Sequence, residues 1–319
     1  MNHRIILASF AIISIALLTT GSGQNQLNII SGFNNININP EIVSFTNDLE
    51  INNNGGHIQG IQPFENKQGK YIFMSGSSDS YSYCTVVKLD EENKVISVNR
   101  LMDKPFKHAG GFQIFENYLA VGIEDNSIKD KAKVCIYDIT KPEKPFAEPI
   151  AVIERKGEPL RSTAGCVGMT NYKNGILLAV GDWDTKHIDF YSTELDKITD
   201  SGFKKIGSVD TENISKTGWI NNDWYSYQNI NLLNINNSLY LIGLGQNLQS
   251  ENIADLFEVS EDSSGIFVFN KVATKTFNCT NGCNFKAAAG VKYDKGEFTI
   301  LASSYNINSI SYLNVFSSK

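Results

Sequence analysis

Histidine, proline and cysteine are scarce in this chain, and each scarcity narrows what the protein can do. Of 319 residues, 4 are histidine, 7 proline and 5 cysteine. No CxxC pair and no Cys/His spacing of the zinc-binding kind occurs, so neither a metal nor a cofactor is expected. There is no basic run and no basic–aromatic stripe, and the formal net charge is −6. Such a surface repels phosphate backbones, which argues against nucleic acid as a partner. Neither a G-x-S-x-G elbow nor a Ser/His/Asp order of the hydrolase kind is present. Beyond the N-terminal region no apolar run is long enough for a membrane helix, and no stretch sustains a helical period.

What is present begins with a processing signal. Asn2-His3-Arg4 gives a basic start, Ile5 to Leu18 an apolar core, and Gly21-Ser22-Gly23 the small residues of a cleavage site. The core is short for a membrane span, and no cysteine follows it to carry a lipid anchor. Residues 1–23 are therefore expected to be a secretory signal peptide, placing the mature protein in a secreted or periplasmic setting. Loss of Arg4 moves the charge from −6 to −7. In that oxidising context Cys279 and Cys283 (CTNGC) are close enough to clip one loop as a disulfide. Cys84, Cys135 and Cys166 fall in apolar strands and suit buried small residues.

The most informative feature is a recurring phrase: a polar or aromatic residue, a stretch of small residues, then two apolar runs split by a polar turn. Copies begin at His57, His108, Thr163, Tyr227 and Lys286, spaced 51, 55, 64 and 59 residues apart by subtraction. That period in an all-strand sequence predicts a β-propeller with one four-stranded blade per repeat. In the second copy GFQIF, YLAVGIE, KVCIYDIT and EPIAVIE supply the four strands. Turn residues at Lys173-Asn174-Gly175, Asn236-Asn237 and Asp294-Lys295-Gly296 separate the first strand from the second. The last copy supplies only three strands, and Glu41-Ile42-Val43-Ser44-Phe45 stands where the missing one is needed. The expectation is an all-β, five-bladed β-propeller closed by an N-terminal strand, a single domain over residues 41–319. Residues 24–40 form an Asn-rich leader in which Leu27–Ile30 can add an edge strand.

The phrase Ile136-Tyr137-Asp138-Ile139-Thr140, with Pro142, resembles the third strand of secreted propeller-repeat proteins with LVIVD-type blades. The resemblance implies the same fold and an extracellular setting. It brings no catalytic residues.

In a propeller the repeat starts ring one mouth of the channel, joined there by the loops between second and third strands. His57 and His108 occupy equivalent positions in that ring. They either serve a ligand or hydrogen-bond a neighbouring blade. Thr163, Tyr227 and Lys286 complete the ring. Asp182-Trp183-Asp184, with His187 and Asp189, is the densest polar cluster, yet it lacks the glycine and terminal acid of a calcium loop. The interval leading to Tyr227 carries Trp219, Trp224 and Tyr225, which either stack on sugar rings or fold back over their own blade. These features favour an exported, non-enzymatic module that binds a small molecule, glycan or protein surface through His57, His108, Thr163, Trp183, Trp219, Trp224, Tyr227 and Lys286. The alternatives are a secreted hydrolase, perhaps carbohydrate-active, using Glu124, Asp125, Asp182 or Asp184, and a structural surface protein without a ligand. Against the hydrolase stands the absence of any acid at the strand starts.

Overall fold

The computed structural model describes residues 26, 28–194, 197–198 and 202–318; the expected signal peptide, residues 1–23, lies outside the described residues. The described chain is all-β apart from one short helix over 28–34 and a three-residue helical turn at Trp183–Thr185. None of its helices is long and apolar enough to cross a membrane.

Twenty strands run in antiparallel sets of four. The first set is β2 (Ile58–Asn66), β3 (Gly69–Gly76), β4 (Tyr81–Leu89) and β5 (Lys94–Asp103). The second is β6 (His108–Phe115), β7 (Tyr118–Glu124), β8 (Lys131–Asp138) and β9 (Ala151–Lys156). The third is β10 (Cys166–Tyr172), β11 (Gly175–Gly181), β12 (His187–Glu194) and β13 (Lys204–Asp210). The fourth is β14 (Asn229–Ile235), β15 (Ser238–Gln246), β16 (Asn252–Glu261) and β17 (Phe267–Phe277). The remainder, β18 (Ala288–Asp294), β19 (Glu297–Ser303) and β20 (Ile310–Ser317), pairs at its outer edge with β1 (Glu41–Thr46), in register from Glu41 opposite Val315 to Thr46 opposite Ile310.

Single parallel pairs join some of these sets. Ala289–Gly60 and Thr46–Lys94 close β1, β18–β20 and β2–β5 into one ring of eight strands. Cys166–Gly111 joins the second and third sets into a second eight-stranded sheet, while β14–β17 form a sheet of their own.

Burial follows position within a set. The second strand is largely enclosed on both faces, most completely in the apolar β11 (GILLAVG). The outer strand alternates, as in β17, where buried and exposed residues take turns along the chain. Every main apolar cluster is shared by two successive sets. One joins Leu177 and Phe190 of the third to Leu232 and Phe257 of the fourth; another joins Ala120 and Val134 of the second to Val167 and Leu178 of the third.

The region before β1 departs from expectation. Leu27–Ile30 was expected as an edge strand, but residues 28–34 are helical, and Leu27 itself lies outside the described residues. Ile29 and Phe33 fall at i and i+4 on one face of the helix, and Ile36 follows two residues past its end. That face is buried between the fourth and last sets, with the Phe33 ring edge-on to Phe298 at 5.9 Å.

Two side-chain amides tie the fourth set to the centre, where no strand pairing does so. Gln113 on β6 donates from Nε2 to Leu232 O (2.8 Å) and accepts at Oε1 from Leu232 N (2.7 Å) and Met169 N (2.8 Å). Asn229 on β14 donates from Nδ2 to Gln59 O at 2.9 Å and Ala287 O at 3.4 Å. The strands approach so closely here that a Cβ at Gly111 would lie 2.2 Å from Gln228 O. Replacing Gln113 by leucine leaves three buried backbone groups unpaired, at about 1–3 kcal/mol each. The expected outcome is a loss of at least about 3 kcal/mol of unfolding free energy, measured by urea denaturation, without loss of the β-rich circular dichroism spectrum.

Candidate functional site

The strand starts and the adjoining loops converge on a cavity of about 220 Å³. Its walls include His57, His108, Trp183, Tyr227 and Lys286 from the expected set, together with the carboxylates Glu124, Asp182 and Asp184. Gly165 also lines it, as do Gln59, Asn126, Gln228 and Tyr305. Asn126 and Tyr305 lie in loops expected on this face, whereas Gln59 and Gln228 were not singled out from sequence, because isolated amides in an Asn-rich chain carry no distinguishing pattern.

The two histidines do different things. The Nδ1 of His57 lies 2.7 Å from Ile58 O, so that nitrogen carries the proton and donates to the carbonyl, leaving Nε2 to accept from Gln59 Nε2 at 3.2 Å. Burial holds the His57 imidazole below its ordinary pKa, partly offset by that backbone bond and reinforced by His108. Its ring meets Tyr305 edge-on at 5.0 Å. His108 faces Glu124 instead: His108 Nδ1 and Glu124 Oε1 are 3.2 Å apart but not aligned as a hydrogen bond. Both atoms are buried and have no other hydrogen-bond partner, whereas Glu124 Oε2 accepts from Ala164 N at 2.9 Å. Glu124 and His108 thus form a buried carboxylate–imidazole pair in the wall of the cavity.

Asp182 caps its own turn, accepting from His187 N at Oδ1 (2.8 Å) and from His187 Nδ1 at Oδ2 (2.7 Å). Burial pushes its carboxyl above the usual range, and the bonds from His187 only partly oppose this. Asp184 is exposed at the rim and accepts from Ser226 Oγ at 2.7 Å. The Trp183 ring carries the Lys129 ammonium over one face, 3.4 Å from its centroid.

Other expected residues lie apart from this cavity. Asp125 is spent on its own loop, accepting from Ser127 N and Ile128 N and pairing with Lys131. Asp189 is buried among Arg155, Arg161, Lys205 and Ser208, all within 2.7 Å. Burial alone would raise its carboxyl, but Arg161, Lys205 and Arg155 drive it far below the usual range, so it is a structural anchor. Thr163 is fully buried and gives its hydroxyl to Leu160 O at 2.5 Å. Trp219 and Trp224 were expected to line the mouth; neither lines the cavity. Trp219 is buried with its indole N–H donated to Phe269 O at 2.8 Å, and Trp224 donates to Thr185 O at 3.1 Å. Their rings pack against Phe257 at 5.4 and 5.1 Å, because two large apolar faces gain more from each other than from water. The Cys279–Cys283 disulfide is formed, and the other three cysteines are buried thiols.

No family model matches the chain, and no curated protein matches it in sequence. Solved structures do resemble it. The catalytic domain of a GH62 α-L-arabinofuranosidase from Coprinopsis cinerea superposes with a TM-score of 0.52 at 10% identity, covering 82% of this chain and 90% of that one. The fold is that of a β-propeller. An exo-β-1,3-galactanase from Phanerochaete chrysosporium gives a TM-score of 0.46 at 9% identity; 88% of this chain spans 64% of that one. A GH43 β-xylosidase/α-arabinofuranosidase from a compost metagenome gives 0.48 at 10%, with 86% and 95% covered. The likeness of the Ile136–Thr140 phrase to LVIVD-type blades rests on those residues alone.

The raised Asp182 carboxyl makes a signed prediction for the propeller's stability. A carboxyl whose folded pKa lies above its unfolded value of about 3.9 stabilises the fold only while protonated, and that contribution is lost as pH rises through the folded value. An asparagine cannot ionise. Thermal melts of Asp182→Asn and the parent between pH 4 and 8 are expected to shift progressively in the variant's favour as pH rises.

Proposed function

We propose that the protein is an exported, carbohydrate-active hydrolase whose working site is the mouth cavity. The propeller is read as five blades over residues 41–319, with β1 completing the last, and residues 1–23 as the signal that exports it. The carrying observation is that one small cavity holds two buried carboxylates from neighbouring sets, in contrasting environments. Burial raises the Asp182 carboxyl above its usual range, while Glu124 lies fully buried in the cavity wall beside His108. Cleavage of a glycosidic bond needs this division of labour. Asp182 gives its proton to the departing glycosidic oxygen. Glu124 draws a proton from the water that attacks the sugar carbon, and His108 beside it steadies the charge. Asp184, Gln59, Asn126, Gln228 and Lys286 offer the hydroxyl-binding groups a sugar requires. The arabinofuranosidase that shares the fold suggests a glycoside as substrate.

A second reading, glycan binding without turnover, is favoured by one observation. Both oxygens of Asp182 are already engaged by His187, so proton delivery requires that pair to open.

Release of 4-nitrophenol from aryl α-L-arabinofuranoside, β-xyloside and β-galactoside separates the two. If the hydrolase reading holds, at least one is cleaved, and Asp182→Asn and Glu124→Gln each lower kcat/KM by about 10²-fold or more. The rate then falls as pH rises through the raised Asp182 value, because the donor loses its proton. No turnover, with xylotriose raising the melting temperature, supports binding alone. Neither effect overturns both.

A further inference from the structure

The turn that carries Asp182 and Trp183 into the cavity is held in a conformation its residues do not favour. Asp184 has φ 60° and Thr185 φ 51°, adjacent left-handed residues of which the second is β-branched. A branched side chain strains that region of backbone space and persists there only where its surroundings impose it. Here the surroundings are the long connection between β13 and β14. Trp224 Nε1 donates to Thr185 O at 3.1 Å, and Thr211 Oγ1 donates to the same oxygen at 2.9 Å. Tyr227 N donates to Thr185 Oγ1 at 3.1 Å, that hydroxyl donates to Asp184 O at 2.7 Å, and Ser226 Oγ holds Asp184.

The connection is itself anchored from below. Lys271, fully buried, donates from Nζ to Asn221 Oδ1 (2.9 Å), Asp223 O (2.5 Å) and Asp255 Oδ2 (2.8 Å). Its ammonium lies 5.4 to 5.7 Å from the rings of Tyr225, Phe257 and Trp219. Asp255 also accepts from the Tyr227 hydroxyl at 2.5 Å. A continuous run of contacts thus leads from a buried lysine to the backbone of the carboxylate turn.

We propose that Trp224 is a positioning residue: through its indole N–H the 219–227 segment imposes the left-handed Asp184–Thr185 turn and so aims Asp182 and Trp183 into the cavity. The functional part rests on the reading of that cavity as the working site; the structural part does not.

Trp224→Phe keeps a ring against Tyr227, Phe257 and Phe269 but removes the donor. Amide hydrogen exchange of this variant is expected to be at least tenfold faster at Asp182, Thr185 and His187, with the β11–β12 ladder unchanged. Turnover of the cleaved aryl glycoside should fall at least tenfold in kcat. Trp219→Phe is the matched control, because that indole donates to Phe269 O and not to the turn. It should leave exchange at 182–187 as in the parent. Unchanged exchange in Trp224→Phe, or equal loosening in Trp219→Phe, overturns the proposal. A parent without turnover sinks the hydrolase reading, while exchange still decides whether Trp224 holds the turn.

Discussion

The ring of strand sets depends on polar side chains buried where the innermost strands meet. Backbone pairing joins the first set to the last and the second to the third, but leaves β14–β17 without a strand partner. Gln113 and Asn229 supply what pairing does not, reaching from one inner strand to the backbone of others. An amide suits this role because it both donates and accepts, and in a low-dielectric centre each satisfied bond counts for more than it would in water. The same requirement explains the small residues beside them, since Gly111 must leave room for the approach of Gln228. Gln59, whose carbonyl accepts from Asn229, brings this junction to the floor of the mouth cavity.

On that floor the chemistry is arranged by burial more than by charge. Two carboxylate–histidine pairs, Glu124 with His108 and Asp182 with His187, sit in neighbouring sets at the same end of the channel. Their environments differ. Asp182 is hydrogen-bonded on both oxygens and its carboxyl is raised by burial, whereas Glu124 accepts from Ala164 N on one oxygen and faces His108 with the other. The third acidic centre nearby, Asp189, is neutralised so completely by Arg155, Arg161 and Lys205 that it serves the scaffold. The three acids therefore take separate roles, set by what each is buried against.

The repeat phrase made much of this legible. Alternation and apolar runs placed most strands, and the shortfall of one strand at the C-terminal end pointed to Glu41–Phe45, which pairs with β20. Asn236 and Asn237, both at positive φ, form the hairpin turn their residue types suggested. The helix over 28–34 was not legible, because its apolar face is carried by Ile29 and Phe33 alone and asparagine around them hides the period. The tryptophans were legible as a cluster but not in their direction. Whether an aromatic loop faces a ligand or its own blade depends on partners far along the chain, here Phe257, Phe269 and Lys271.

By itself, then, the sequence determined the all-strand architecture, the repeat period, the disulfide loop and the ring of residues opening each repeat. These follow from local pattern, which a single chain carries in full. Tertiary structure alone decided which of those residues share a cavity. It put Glu124, Asp182 and Asp184 together, withdrew Asp125, Thr163, Trp219 and Trp224, and fixed the left-handed turn at Asp184–Thr185. Such outcomes are set by burial and by hydrogen-bond partners tens of residues away, and nothing in local sequence spacing encodes which partner a buried polar group will find.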